Sequence, residues 1–203
     1  MLTLGLSGSG HSKTLRPSCR RCALALTIDQ TTLLDANLID LAGEVDDDMA
    51  VYVRESIPRL MSRGSPEITV LISSTGGNLL NGLFVIDSLL AYPGKTTGKA
   101  IGLCQSMAAV ILQACTHRQA CAQTRLLIHD PVFWKISFNT VVSQTKRSRA
   151  MAEQDRYSQR TYQLLCRRTC RSMREVRALC RREKELFPEE ALKFGLIDEI
   201  IGA

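Results

Sequence analysis

Apolar and polar residues alternate in blocks along the chain, and these blocks follow a regular order. Short apolar or β-branched runs predict buried strands at 37–43, 68–72, 99–103, 125–129 and 196–201. Longer segments with helical spacing predict helices at 46–62, 79–91, 107–115, 140–168, 172–182 and 189–194. Turn residues separate the segments. A strand followed by a helix, several times over, predicts a layered α/β domain with a largely parallel sheet.

The composition favours one folded domain and argues against two other classes of protein. Of the 203 residues, 45% are hydrophobic, which is enough for a substantial core. No apolar run approaches the ~20 residues of a membrane span, so we expect no membrane association. The net charge of +6 comes largely from the first segment and from residues 146–182. We interpret that basic stretch as a solvated helix face, because no aromatic residues alternate with the arginines as in a nucleic-acid site.

The first 28 residues differ from the rest of the chain. No acidic residue precedes Asp29, whereas Lys13, Arg16, Arg20 and Arg21 are basic. This composition fits an organelle transit peptide, and a disordered or processed bacterial pro-segment is the alternative. We therefore expect a leader at 1–28 and a single domain at 29–203.

The eight cysteines do not form a recognisable metal site. Cys19 and Cys22 are spaced as C-x-x-C, but no second pair follows at zinc spacing. Cys104 and Cys115 lie in apolar sequence, as buried cysteines do. We expect reduced thiols, no metal and no cofactor.

Three features with chemical potential follow successive predicted strands: Gly76-Gly77, Ser106 and His129. The carboxyl ends of parallel strands share one edge of a sheet, where active sites form. A serine needs a base, histidine is the usual one, and paired glycines leave N–H groups free for an oxyanion. Taken singly, each feature has a structural alternative: Gly76-Gly77 could be only a turn, Ser106 a helix N-cap, and His129 a structural residue whose hydrogen bonds are satisfied. Taken together, they predict acyl transfer with Ser106 as nucleophile and His129 as base.

Four blocks of residues carry a resemblance to a known family. They are Ser74-Thr75-Gly76-Gly77, Gly102-x-x-x-Ser106-Met107-Ala108-Ala109, Arg125-x-x-Ile128-His129-x-Pro131 and Glu189-Glu190-Ala191-x-x-x-Gly195-Leu196-Ile197-Asp198. In order and spacing, this set resembles the signature of the ClpP family, the proteolytic subunit of the ATP-dependent Clp protease. The resemblance covers about residues 33 to 201.

The resemblance implies a fold, an activity and partners. The fold is the crotonase/ClpP-like layered β-α-β superhelix, with a protruding handle helix that begins near residue 140 and interlocks two rings. The activity is that of a serine endopeptidase, without cofactor, acting on unfolded polypeptides in an enclosed chamber. The family works as two stacked heptameric rings with an AAA+ ATPase unfoldase, and we expect a cytoplasmic location, or an organelle if the leader is a transit peptide.

The resemblance also implies site residues. Ser106 matches the nucleophile, His129 the general base, and the backbone N–H groups of Gly77 and Met107 the oxyanion hole. Substrate contacts fall on Gly76, Asp130 and Pro131.

The third residue of the family's catalytic triad is an aspartate, and this sequence has Glu183 at that position. Glutamate also serves in some triads. Glu185 and Asp198 are the other candidates. Because of this substitution, a catalytically weak or inactive assembly subunit is an alternative function. An acyl-CoA enzyme on the crotonase-like scaffold is a further alternative, which the Ser-His spacing and the short chain disfavour.

Overall fold

The computed structural model describes residues 26–130, 140 and 142–202. Its centre is a six-stranded sheet in which every strand pair is parallel. The strands are β1 (Leu38–Val45), β2 (Ile68–Gly77), β3 (Thr96–Gln105), β4 (His117–Cys121), β5 (Arg125–Leu127) and β6 (Glu199–Ile201). The helices are α1 (Ile28–Asp35), α2 (Asp47–Ser62), α3 (Leu79–Ala91), α4 (Met107–Leu112), α5 (Gln144–Thr169), α6 (Met173–Cys180) and α7 (Pro188–Phe194). The predicted α/β class with a parallel sheet is confirmed.

The sheet divides at the middle of β3. The strand order is β1-β2-β3-β4-β6, and β5 also pairs with β3. β4 pairs with residues 97–100 of β3, whereas β5 pairs with residues 103–105. Gly102 lies between these two halves with a φ of +67°, a conformation that a side chain disfavours. The division brings the end of β5 directly beside the end of β3.

Helices cover the sheet because their apolar faces need burial. α2 contacts β1, α4 contacts β2 and β3, and α3 packs between these two helices. Asp46 caps α2 by accepting from the Met49 N–H, and Asn78 caps α3 in the same way, so both helices begin immediately after a strand. These short connections fix the strand ends on which the site depends.

The structure corrects three details of the predicted elements. β2 does not break at Ser73 but continues to Gly77, because residues 73–77 still pair with β1. His117 does not lie in a loop but begins β4, in register with Thr97. α4 ends at Leu112 rather than at Cys115.

The long predicted helix is present as α5, with 26 residues. Its buried residues, which include Tyr162 and Leu165, all lie between Ser158 and Thr169. This half packs against α6, and the preceding half is largely exposed. An exposed polar half is typical of a helix that extends beyond its own domain, as the family resemblance implies for a handle.

Most of the predicted leader, residues 1–25, lies outside the described residues, and α1 begins at Ile28. No helix in the described part of the chain is long and apolar enough to cross a membrane. Across residues 26–130, 140 and 142–202, no group of three or more potential ligands could hold a metal ion. The six cysteines in these ranges are free thiols.

Candidate active site

Ser106 and His129 come together because β3 and β5 are neighbours. Gln105 is in register with Leu127, and the Ser106 N–H donates to the Leu127 carbonyl at 2.8 Å. Each strand therefore delivers its next residues to the same edge of the sheet. There the Ser106 Oγ lies 2.8 Å from the His129 Nε2. This is hydrogen-bonding distance between a nucleophile and a base.

The backbone at Ser106 is held in an unfavourable conformation. Its φ is 53° and its ψ is −124°, which for a residue with a β-carbon costs about 1–3 kcal/mol. Ser106 occupies the N-cap position of α4, but its side chain makes no capping hydrogen bond. The hydroxyl is bonded to the imidazole instead. A sharp strand-to-helix turn of this kind exposes a serine hydroxyl to substrate.

The contacts of His129 fix which of its ring nitrogens carries the proton. Its Nδ1 lies 2.7 Å from the backbone carbonyl oxygen of Asp130. A carbonyl oxygen can only accept, so Nδ1 must be the protonated nitrogen. Nε2 then has a free lone pair and accepts from the Ser106 hydroxyl. The neutral histidine is therefore in the tautomer that a general base for Ser106 requires.

Gly76 lies directly against the Ser106 turn, and Gly77 lies against the end of β1. A β-carbon at Gly76 would stand 2.7 Å from the Ser106 Cβ and 2.9 Å from the Met107 N. One at Gly77 would stand 2.5 Å from the Val45 carbonyl oxygen. Met107 is the first residue of α4, so its N–H has no acceptor within the helix. Only a glycine at position 76 allows the end of β2 to approach this N–H so closely.

None of the three candidate third carboxylates is bonded to His129 within the described ranges. Glu183 is exposed, with a φ of 46°, and its N–H donates to the Cys180 carbonyl at 3.1 Å. Glu185 accepts from the Gln105 side chain at 2.7 Å. Asp198 is paired with Arg118. The structure thus brings together the predicted nucleophile and base, and does not bring Glu183 to them.

The sequence analysis missed a contact of Asp130, the residue that follows His129. The Tyr162 hydroxyl of α5 donates to the Asp130 carboxylate at 2.6 Å. Asp130 and Tyr162 also border a cavity of about 340 Å³, whose other lining residues are Met151, Gln154, Asp155, Ser158, Arg177 and Arg181. The two residues are 32 positions apart, and no motif in the sequence marks Tyr162 as a partner of Asp130. Pro131, predicted to contact substrate, lies outside the described residues.

Comparisons with known proteins show the family of the chain. The Clp protease family model matches residues 25–203. The chain is 29% identical to the ATP-dependent Clp protease proteolytic subunit 4 of Rhodococcus jostii, over 84% of this chain and 87% of that protein. It is 28% identical to the proteolytic subunit 2 of Mycolicibacterium paratuberculosis, over 83% of this chain and 84% of that protein. The chain belongs to the Clp protease family.

Proposed function

We propose that this chain is the proteolytic subunit of an ATP-dependent Clp protease and that it cleaves peptide bonds by serine chemistry. The observation that carries the proposal is the 2.8 Å hydrogen bond between the Ser106 Oγ and the His129 Nε2. The Nδ1 contact to the Asp130 carbonyl supports it, since that contact leaves Nε2 free to accept a proton.

In the proposed acylation step, the Ser106 Oγ attacks the carbonyl carbon of the scissile peptide bond. The Oγ–H bond breaks as the C–O bond forms, and Nε2 of His129 takes the proton. The negative charge on the former carbonyl oxygen is stabilised by the N–H groups of Gly77 and Met107. The C–N bond then breaks, and the leaving amine takes the proton from His129.

In the proposed deacylation step, water attacks the acyl group on Ser106, and His129 accepts a proton from that water. Collapse of the second tetrahedral intermediate releases the carboxylic acid. His129 returns the proton to the Ser106 oxygen, so the enzyme is regenerated without a cofactor. For substrate contacts we retain Gly76, Asp130 and Pro131 as candidates.

The role of Glu183 as the third catalytic residue stays a prediction. Its exposure favours the second candidate function, an assembly subunit with feeble catalysis, because Glu183 then supplies no carboxylate to His129. Replacement of Glu183 by Gln tests whether this residue takes part in catalysis. If Glu183 orients His129 during turnover, the rate should fall by a factor on the order of 10⁴. Unchanged turnover would remove Glu183 from the mechanism.

We also propose that the chain works as a homo-oligomer of stacked heptameric rings. Exposed apolar side chains on α3 and β3 support this, because a monomer would leave them in water: Leu80, Phe84, Leu90, Ile101 and Leu103. The relatives are named as subunits of an ATP-dependent protease, which supports an ATPase as partner. An AAA+ unfoldase as that partner and unfolded polypeptides as substrates stay predictions. A cytoplasmic location is the accompanying prediction. Sedimentation as a stable monomer would contradict the assembly.

The activity is tested by hydrolysis of a short fluorogenic peptide by the full-length protein in its assembled state. Wild type should hydrolyse the peptide and Ser106→Ala should not. Ser88→Ala is the matched control, because this partly exposed hydroxyl donates to the Phe84 carbonyl of its own helix. Equal rates for wild type and Ser106→Ala would refute the proposal, as would an assembled wild type without activity.

A further inference from the structure

Asp130 makes two hydrogen bonds that together link α5 to the candidate base. Its backbone carbonyl accepts from the His129 Nδ1 at 2.7 Å, and its carboxylate accepts from the Tyr162 hydroxyl at 2.6 Å. His129 in turn accepts from Ser106 at 2.8 Å. Three hydrogen bonds, connected through Asp130 and His129, thus link α5 to the Ser106 hydroxyl at the end of β3.

Tyr162 is well fixed in this arrangement. Its side chain is only 6% exposed, and the Arg177 guanidinium lies 5.1 Å from the centre of its ring. Burial, together with the hydrogen bond to Asp130, raises the pKa of Tyr162 above its usual range. The hydroxyl therefore stays protonated and remains a donor at any working pH. Ile128, on the other side of His129, is 2% exposed, so that side of the segment is anchored in the core.

We propose that Tyr162 and Asp130 are positioning residues that hold His129 in its Nδ1–H tautomer, in place of a third catalytic carboxylate. Tyr162 holds the Asp130 side chain, and that contact holds the Asp130 carbonyl against Nδ1. Neither residue touches the reacting atoms. The inference rests on the proposed peptidase chemistry for its purpose, but the tautomer itself is measurable without any turnover.

The physical need for such a device follows from the position of His129. The residue lies after the end of β5, so the sheet no longer holds its backbone. A histidine free to adopt either tautomer would spend part of its time with Nε2 protonated, unable to accept from Ser106. Glu183, which the sequence offers for this task, makes no bond to His129 in the described part of the chain. Asp130 and Tyr162 then hold the His129 tautomer in its place.

The first test is the nitrogen NMR spectrum of histidine-labelled full-length protein, recorded at a pH where the imidazoles are neutral. His129 is assigned by its loss in His129→Gln. Wild type should give the Nδ1–H pattern, whereas Tyr162→Phe and Asp130→Ala should give a mixture of tautomers. Asp130→Asn should restore the wild-type pattern, because its amide oxygen still accepts from Tyr162. Glu183→Gln should leave the pattern unchanged.

The second test is the kinetics of the same variants on the fluorogenic peptide. Tyr162→Phe keeps the ring and removes one hydroxyl, so kcat should fall about tenfold at constant KM, as for one lost hydrogen bond. Tyr157→Phe, which removes a hydroxyl from the same helix, is the matched control and should match wild type. Dissociation of the assembly would lower both activities, whereas lost positioning lowers only that of Tyr162→Phe.

The two proposals fail in different ways. A wild-type tautomer in Tyr162→Phe, or Nε2 protonation in the wild type, would overturn the positioning role even if the peptide is hydrolysed. A tautomer that responds as expected, in a protein without peptidase activity, would support the positioning role and refute the proposed function.

Discussion

Gly76 offers the sharpest test of how the end of β2 supports the Ser106 turn. Its φ is +94°, a region that residues with a side chain rarely adopt. The three atoms closest to a β-carbon at this position would be the Ser106 Cβ at 2.7 Å, and the Gln105 carbonyl oxygen and Met107 N at 2.9 Å. These atoms are backbone or attached directly to it, so none can move aside without displacing the turn. Gly76→Ala should therefore damage both stability and activity.

The magnitude can be divided with a second glycine. Gly43 has nearly the same φ, +90°, but a β-carbon there would meet nothing within 4 Å. Gly43→Ala should cost only the backbone strain, about 1–2 kcal/mol. Gly76→Ala should cost the same strain plus about 1–3 kcal/mol for the overpacked contact. Displacement of Ser106 and the Met107 N–H by a fraction of an ångström should also lower kcat by a factor on the order of 10².

The assay combines thermal unfolding at one fixed protein concentration with peptide hydrolysis. The concentration must be fixed because assembly contributes to apparent stability. In a domain of this size, 1 kcal/mol corresponds to roughly 2–4 °C in Tm. Gly76→Ala should thus unfold at least about 2 °C below Gly43→Ala and lose nearly all activity, while Gly43→Ala stays active. Equal stability and equal activity of the two variants would refute the claim that Gly76 is required by close packing against Ser106.

Three other predictions concern groups outside the reacting atoms. In a urea titration, Arg118→Ala should destabilise the fold by about 3–5 kcal/mol, because it leaves partly buried acceptors on Asp198, Gln113 and Gly195 unpaired. Lys184→Ala loses an exposed ion pair and should cost about 1 kcal/mol or less in the same titration. Burial opposes ionisation of Asp198, but its bonds from Arg118 prevail and hold the pKa of Asp198 below its usual range. The stabilisation from Asp198 is then present above its unfolded pKa and lost as pH falls below about 4. The free energy of unfolding of Asp198→Asn should therefore depend less on pH in this range. Identical pH profiles for the variant and wild type would contradict the pairing. Iodoacetamide should modify exposed Cys170 before buried Cys104 and Cys115, since burial raises the pKa of Cys115 to about 12. Peptide mass spectrometry measures the order of modification, and early modification of Cys115 would contradict its burial.

The order of most strands and helices was predictable because their buried positions are occupied by apolar residues in a regular pattern. The run at 68–72 is rich in apolar and β-branched residues, and it forms the first half of β2. The polar continuation at 73–77 gave a false sign of a turn, because its pairing with β1 is a tertiary contact. β4 was missed for a similar reason. His117 and Arg118 are polar, yet they are satisfied by Glu199 and Asp198 on a segment 80 residues away.

The candidate site likewise has one part that the sequence indicates and another that depends on tertiary contacts. The approach of Ser106 and His129 follows from strand ends on one edge of a parallel sheet, which pattern and motif spacing can indicate. The partner of His129 Nδ1 could not be inferred, because it is a backbone carbonyl with no sequence signature. Tyr162 reaches Asp130 only through the packing of α5, which sequence spacing does not encode. The motif position pointed to Glu183, and the fold leaves that side chain in solvent.

The most direct measurement of the central claim is covalent labelling of the full-length, assembled protein by a fluorophosphonate, mapped by peptide mass spectrometry. A serine is modified rapidly only when a base takes its proton. We expect one adduct per chain, on Ser106, and loss of that adduct in His129→Gln, while Ser88→Ala labels like wild type. An assembled wild type that remains unlabelled, or labelling of Ser106 at an unchanged rate in His129→Gln, would contradict the central claim.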